Sequence, residues 1–224
     1  MPHLTDLTIR NFKGLQEVEL KEFAHINLLV GANNCGKTRT LEAIAQHCTK
    51  HTIPVYSLDI PGDPALLDLL NDHIVADLSS LLRRATAPSI VTPHLVDGVL
   101  YMKCEGGRLP ASSMGRGINR MVQLALAIVQ SANGVLLIED LEWAIHIDNY
   151  GAFTWLATWA KQNGVQIFAT THSLDAIDAM LDATDEDTDL VLFRMESLKT
   201  KTRIVRHHRD RLRRLRENMD QEVR

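Results

Sequence analysis

The stretch that decides the fold is "INLLVGANNCGKT", from Ile26 to Thr38. It begins as an apolar run typical of a buried strand and continues as a loop with two glycines, a lysine and a hydroxyl residue. The glycines let backbone N–H groups wrap around phosphates, and the start of the next helix adds the positive end of its dipole. The stretch therefore predicts a strand, a phosphate-binding loop and a helix, in that order.

This loop predicts ATP and Mg²⁺ as cofactors. We expect Lys37 to reach the β- and γ-phosphates and the Thr38 hydroxyl to ligate Mg²⁺. Cys35 has two interpretations, a small packing residue or a thiol whose pKa falls at a helix start. The predicted nucleotide contacts in this loop are Gly31, Ala32, Asn33, Asn34, Cys35, Gly36, Lys37, Thr38 and Arg39.

Composition indicates an ordinary globular protein. The chain has 224 residues, of which 45% are hydrophobic and 23% charged, enough for one domain with a substantial core. Its net charge of −4 gives no global basic field. No apolar run approaches the ~20 residues that span a bilayer, and the start lacks the apolar core of a signal peptide. Three scattered cysteines argue against a disulfide framework or a zinc site. We expect a cytoplasmic protein without membrane contact.

Buried strands that alternate with helices predict an α/β fold with a mainly parallel sheet. Two strands in "LTDLTIRNFKGLQEVEL" and a hairpin turning at Gly106-Gly107 predict an antiparallel addition. We interpret 1–224 as a single domain. Within it, about 60–95 is predicted to form a helical insertion or short lid, and about 199–224 a basic C-terminal strand and helix.

Five segments together carry a family resemblance, and in chain order they are "LTIRNFKGL", "INLLVGANNCGKT", "SSMGRGINRM", "VLLIEDLEWAIH" and "FATTHSLDAI". As an ordered set they resemble the ABC-type ATPases of the OLD, RecF and SMC group, and OLD-like ATPase domains most closely. The likeness runs from Leu4 to about Ile177, with sizeable gaps, and only the phosphate loop is specific alone. The resemblance implies an ABC-type P-loop ATPase head that sandwiches nucleotide in a homodimer.

The resemblance also implies roles for further residues. "SSMGRG" lies where the family has its signature loop, so Ser113, Gly115 and Gly117 would contact the γ-phosphate bound to the opposite subunit. Arg116 departs from the acidic residue expected there, and is either a solvated side chain or a phosphate contact. His172 matches the switch histidine that senses the γ-phosphate.

Other matches are looser. Arg10, Asn11 and Lys13 lie where related heads approach the nucleotide. Glu142 and His146 match an element that would organise a dimer-facing loop, with local capping and hydrogen bonding as the alternative. The family's glutamine between phosphate loop and signature is missing, since none occurs between Gln46 and Gln123. The candidate substitutes are Asp59, Asp63 and Asn71.

The acidic pair after "VLLI" is inverted, with Glu139 before Asp140. In the favoured register Glu139 would hold Mg²⁺, through water, and Asp140 would orient or deprotonate the attacking water. The alternative makes Asp140 the metal residue and Glu142 the base, but it shifts Glu142 and His146 away from their family match. The predicted catalytic set is Lys37, Glu139, Asp140 and His172.

Aspartate is one methylene shorter than glutamate. A general base must lie within about 2.6–3.2 Å of its proton donor, or act through one water. A misplacement near 1 Å costs about a hundredfold in rate. Unless the backbone compensates, we expect sound Mg-dependent ATP binding and slow hydrolysis.

Basic residues dominate from Lys199 to Arg216 and could meet DNA or RNA phosphates. The alternative is a solvated helix face opposite a stripe of Leu212, Leu215, Met219 and Val223. His207 and His208 are expected at the surface.

The favoured function is a nucleotide switch of OLD-like type in DNA metabolism or phage defence, with any nuclease or effector on a separate chain. A transporter's ATPase subunit and a nearly inactive nucleotide-binding scaffold are the alternatives.

Overall fold

The computed structural model describes residues 3–48, 52–55, 75–76, 79–80, 90–97, 99–104, 106–145, 151–185, 189–198 and 202–219. The strands are β1 Leu7–Phe12, β2 Leu15–Leu20, β3 Ile26–Val30, β4 Thr52–Val55, β5 Ile90–Val96, β6 Val99–Cys104, β7 Gly107–Pro110, β8 Val135–Ile138, β9 Gln166–Thr170, β10 Leu190–Ser197 and β11 Thr202–His208. The helices are α1 Lys37–His47, α2 Arg116–Gln130, α3 Gly151–Gln162, α4 Leu174–Asp182 and α5 Arg209–Met219, and Ala111–Ser113 forms a 3₁₀ turn.

A central sheet has the strand order β11-β10-β3-β9-β8-β4. All of its pairings are parallel except β10 with β11, which is antiparallel. Every residue of β3, β8 and β9 is buried, as expected of parallel strands covered on both faces. The predicted α/β fold with a mainly parallel sheet is confirmed.

Alternate residues of β3 serve the two faces of this sheet. Ile26 and Leu28 belong to the core cluster under α2, α3 and α4. Leu29 belongs to the other cluster, with α1 and the β1–β2 pair. On that side the ring of Phe23 meets those of Phe168 and Phe193 edge-on, at centroid distances of 4.8 and 5.5 Å.

The antiparallel additions are β1 with β2 and a separate sheet of order β5-β6-β7. The hairpin at Gly106-Gly107 is confirmed, since Cys104 pairs with Gly107. The helical insertion predicted for about 60–95 is wrong at its C-terminal end, because β5 begins at Ile90 and pairs with β6. Residues 75–76 and 79–80 are helical. The rest of the predicted lid lies outside the described residues.

The basic strand and helix at the C-terminus form as β11 and α5. Leu212 is fully buried and Leu215 packs on the same core, while Val223 lies outside the described residues. The surface placement predicted for His207 is wrong, because it pairs with Leu192 of β10 and is buried. Burial lowers the pKa of His207, and the charges of Arg211 and Arg194 lower it further. His208, on the opposite face of the strand, is exposed.

None of the helices within the described residues combines the length and the apolar character that crossing a bilayer requires.

A buried amide fixes the N-terminus to the sheet. The Gln166 side chain accepts from Leu4 N at 2.9 Å and donates to the carbonyls of Leu4 and Ala24, each at 2.9 Å. Gln166→Ala leaves those backbone groups without their partners, so we expect the free energy of unfolding to fall by about 2 kcal/mol. Urea denaturation measures this loss. Gln162→Ala is the matched control, because Gln162 is exposed at the end of α3. Equal stability of the two variants would contradict the role of this amide.

Candidate nucleotide site

A cleft of about 620 Å³ lies at the carboxyl ends of the central strands. It brings together the phosphate loop, the end of β8 and the end of β9, which are far apart in the sequence. Ligands of open α/β sheets bind at this edge. The cleft is lined by Lys13, Asn33, Asn34, Gly36, Lys37, Thr38, Arg39, Glu42, Glu139, Asp140, Thr170 and His172.

Two glycines of the phosphate loop have no room for a side chain. Gly31 has a φ of +142°, and a Cβ on it would stand 2.3 Å from the carbonyl oxygen of Met195. Gly36 has a φ of +107°, and its Cβ would stand 2.6 Å from Leu15 Cδ2. Both positions therefore require glycine, for backbone angle and for space. The phosphate loop thus packs closely against β10 at Gly31 and against β2 at Gly36.

Lys37 folds back over the loop that it serves. Its Nζ donates to the carbonyl oxygens of Gly31 at 2.8 Å and of Ala32 at 3.1 Å. These are bonds that an incoming phosphate can replace with charge-assisted ones. Cys35 is 2% exposed, which agrees with the packing interpretation of its thiol.

Glu139 reaches the first turn of α1. Its Oε1 accepts a hydrogen bond from the Thr38 hydroxyl. A hydroxyl and a carboxylate are hard oxygen donors of the kind that Mg²⁺ takes. Within the described residues no group of three or more His, Cys, Asp or Glu side chains could hold a metal alone. The donor set fits a Mg²⁺ that draws its other ligands from phosphate and water.

Asp140 lies in a tight turn, residues 139–145, which we call the acidic turn. It has a φ of +47°, and its N–H donates to the Thr170 hydroxyl at 2.9 Å. The next N–H, of Leu141, donates to the Thr170 carbonyl at 2.8 Å. These bonds fix the Asp140 backbone beside the end of β9, and its side chain lines the cleft.

Glu142 is occupied by the segment that follows β9. Its Oε2 accepts from the Thr171 hydroxyl at 2.7 Å, and its Oε1 accepts from the backbone N–H of His172 at 2.8 Å. Glu142 does not line the cleft, whereas Asp140 and His172 do. This arrangement disfavours the register in which Glu142 is the base. Its two bonds are local hydrogen bonds of the kind that the alternative interpretation expects, and its role in a dimer-facing loop stays a prediction. His146 lies outside the described residues.

Arg120 is a site residue that sequence reasoning missed. It is 1% exposed, and its guanidinium donates to the carbonyls of Glu139 at 2.9 Å and Asp140 at 3.4 Å and to Gln123 Oε1 at 3.0 Å. It also lies 5.8 Å from the ring centroid of Trp143. Burial lowers the pKa of Arg120 to about 10, opposed by the charges of Asp140 and Glu142, so it remains charged at neutral pH. The sequence does contain one signal for this role, because Arg120 is a single cation inside the apolar run of α2.

The signature loop, Ser113 to Gly117, stands apart from the cleft. The Ser113 hydroxyl donates to the Pro110 carbonyl at 2.7 Å, and Ser113, Gly115 and Arg116 are exposed. A Cβ on Gly117 would stand 2.9 Å from the carbonyl of Ala144 in the acidic turn. None of the three predicted signature contacts lines the cleft of the same chain.

Only one of the three looser matches near the start of the chain reaches the cleft. Lys13 lines it and pairs with Glu42 at 3.0 Å. Arg10 instead pairs with exposed Glu17 at 3.3 Å, and neither Arg10 nor Asn11 is among the lining residues. The candidate substitutes for the missing glutamine, Asp59, Asp63 and Asn71, lie outside the described residues.

Most described arginines of the basic tail are engaged within the chain. Arg216 pairs with Asp178 through two contacts of 2.8 Å. Arg209 donates to the Thr184 carbonyl at 2.6 Å. Arg203, Arg206 and Arg213 have acidic partners as well. Lys199 and Lys201 lie outside the described residues. Most of the described cations of the tail therefore contact groups of the same chain.

Comparisons with known proteins agree with this geometry. The family model described as AAA ATPase domain matches residues 3–74. The DNA replication and repair protein RecF of Nitrosococcus oceani is 52% identical over 44 residues, which are 20% of this chain and 12% of RecF. An uncharacterized protein of Methanocaldococcus jannaschii is 35% identical over 75 residues, 33% of this chain and 66% of that protein. The matched parts span less than two thirds of either relative.

Solved structures extend the likeness over the whole chain. A Pyrococcus furiosus Smc head domain, bound to the C-terminal domain of ScpA, matches with a TM-score of 0.66 at 9% identity, over 99% of this chain and 100% of that one. An ATP-binding cassette of an ABC transporter, in its ADP conformation, matches with a TM-score of 0.57 at 11% identity, over 96% and 93%. The closer likeness to OLD-like domains stays a prediction. The chain has the fold of the P-loop ATPases of the ABC and SMC type.

Proposed function

We propose that this protein binds ATP with Mg²⁺, hydrolyses it slowly, and uses it to close a homodimer of heads. One observation carries the proposal. The cleft unites the phosphate loop, the acidic pair and His172, while the signature loop of the same chain lies exposed outside it. The site therefore has a phosphate cradle and a water-activating side, and a second copy can supply the signature loop.

Each residue of the cleft has a task in this proposal. The Lys37 amine gives up its hydrogen bonds to the loop carbonyls and binds the β- and γ-phosphates instead. Thr38 and Glu139 would hold Mg²⁺, which neutralises phosphate charge when bound. Asp140 orients or deprotonates the attacking water, and His172 contacts the γ-phosphate side of the same cleft.

The acidic turn supports slow hydrolysis. Asp140 has the shorter carboxylate, and its backbone is bonded to Thr170 on one side and Arg120 on the other. A backbone held at both ends resists the shift that would bring a short side chain closer to water. The reach of the base therefore limits the rate, while ATP binding, which uses the phosphate loop, is unaffected.

The exposed signature loop supports the dimer. Gly115 caps the start of α2, where free backbone N–H groups and the helix dipole favour an anion. A second copy related by a two-fold axis would place each loop over the other's γ-phosphate. ATP would then bridge the two heads, and its hydrolysis would release them.

The biological role that we infer is an OLD-like switch in DNA metabolism or phage defence, with any nuclease or effector on another chain. The match to a RecF protein over part of the N-terminal region supports a role near DNA.

The reach of the base is tested by lengthening it. Asp140→Glu adds one methylene, so we expect ATP turnover to rise, by up to about a hundredfold if the missing reach is near 1 Å. Asp140→Asn keeps the size but removes the charge, so turnover should fall while ATP affinity stays the same. Steady-state phosphate release measures both. Wild-type turnover of tens per second, or unchanged turnover in Asp140→Asn, would contradict the proposal.

The bonds of Glu142 predict a positioning role. Glu142→Ala removes both acceptors for Thr171 and His172, so we expect turnover to fall about tenfold or more with little change in KM for ATP. Glu142→Gln keeps one carbonyl oxygen for the His172 N–H and should recover part of the rate. Equal rates for wild type and Glu142→Ala would show that these bonds do not position His172.

A further inference from the structure

Among the residues that the structure describes, most of the cations without a partner lie in one region. Most Lys and Arg side chains of the described residues form an ion pair or a hydrogen bond, chiefly with carboxylates and backbone carbonyls. Four have no such partner within that part of the chain, and three of them lie between residues 103 and 116. They are Lys103, Arg108, Arg116 and Arg211.

The sequence around the first three of these cations is positive, as is the C-terminal tail, in a chain that is acidic as a whole. Residues 98–138 contain four basic residues, Lys103, Arg108, Arg116 and Arg120, and one acidic residue, Glu105, which gives a local charge of +3. The whole chain has a net charge of −4. Outside this region and the basic C-terminal stretch, the remaining chain is strongly acidic and would repel an anionic polymer.

The β6–β7 pair displays two of these cations side by side. Lys103 lies directly opposite Arg108 in the antiparallel register, so both share one face. The other face is apolar, since Leu100 and Met102 are buried against α2. Like charges placed directly opposite each other destabilise a sheet, so the fold gains nothing from this pair.

A half-buried aromatic ring lies on the same face. Tyr101 is two residues before Lys103, and alternation puts both on the outer side of β6. Exposed Lys103 and Arg108 and the neighbouring ring form what we call the cationic face.

We propose that the cationic face of β6 and β7 binds the phosphodiester backbone of a nucleic acid. Opposed side chains of an antiparallel pair have Cβ atoms about 4.5–5.5 Å apart, close enough for both cations to contact one phosphate or its neighbour. The Tyr101 ring offers a stacking surface to a sugar or base. Such contacts give affinity without sequence information.

This placement differs from the C-terminal tail, which the sequence offers as a candidate contact for nucleic acid. Five described arginines of the C-terminal tail are held by carboxylates or carbonyls of the same chain, so binding phosphate would cost them existing bonds. Lys103 and Arg108 have no such bonds to the residues that the structure describes. The cationic face also leads through the 3₁₀ turn Ala111–Ser113 into the signature loop. The inference goes beyond the proposed ATPase activity and does not require it.

The test is fluorescence anisotropy with a labelled DNA duplex and an RNA duplex of equal length, without nucleotide, over a series of salt concentrations. The variant is Lys103→Gln/Arg108→Gln, and the control is Arg211→Gln/Arg214→Gln on the exposed side of α5. Both remove two positive charges. We expect the first to weaken binding at least tenfold and to flatten the log–log salt slope by about 1.8, at about 0.9 for each lost phosphate contact. The control should stay within twofold of wild type.

Three results would overturn the proposal: no binding by the wild type at 50 mM salt or so, equal weakening in both double variants, or equally tight binding of a poly-glutamate peptide. The DNA and RNA arms identify which backbone is preferred. ATP binding and basal turnover, measured separately, should be unchanged in Lys103→Gln/Arg108→Gln. A failure of nucleic-acid binding is therefore distinguishable from a failure of the ATPase proposal.

Discussion

The arrangement of the whole site depends on how the acidic turn is held. Arg120, buried within α2, donates to the carbonyls of Glu139 and Asp140 from one side. The end of β9 holds the same turn from the other side, through the Thr170 hydroxyl and carbonyl. A guanidinium with so little exposure is costly to bury, and bonds to carbonyls and an aromatic neighbour offset that cost. The positions of the Glu139 and Asp140 carboxylates therefore depend on bonds to the backbone of the acidic turn, and one of the residues that make these bonds, Arg120, does not line the cleft.

This clamp connects the cleft to the surface that would meet a partner. Arg120 lies in α2, which begins at the end of the signature loop, and Gly117 at the start of α2 packs closely against the Ala144 carbonyl of the acidic turn. Glu142 extends the connection to His172. The turn therefore contacts both the segment that would sense the γ-phosphate in its own cleft and the helix that would reach the other nucleotide. A change at one cleft therefore has a short path, through the acidic turn, to the signature loop of the same chain, which would face the other cleft.

Local sequence was sufficient to predict the strands of the central sheet, the phosphate loop and the hairpin at Gly106-Gly107. Their signals, apolar runs and glycines, act over a few residues. The contacts of Arg120 with the acidic turn and the two bonds of Glu142 could not be predicted, because the fold alone brings these partners close, and most of them are backbone groups. His207 was misplaced because the residues around it form a basic run, which predicts a surface position, whereas β11 buries His207 and leaves His208 exposed. The sequence offered the arginines of the tail for binding phosphate because it does not reveal the carbonyl acceptors that they bind in the fold.

The central claim is that the signature loop completes the cleft of another copy. It is tested by mixing two inactive variants, Lys37→Ala, which lacks the phosphate-binding amine, and Gly115→Glu, where a side chain has open space in the fold but meets phosphate in the dimer. Each should hydrolyse ATP at a background rate. An equal mixture should recover about a quarter of wild-type turnover, because half the dimers then hold one intact site of two. No recovery in the mixture, or full activity of Gly115→Glu alone, would contradict the account.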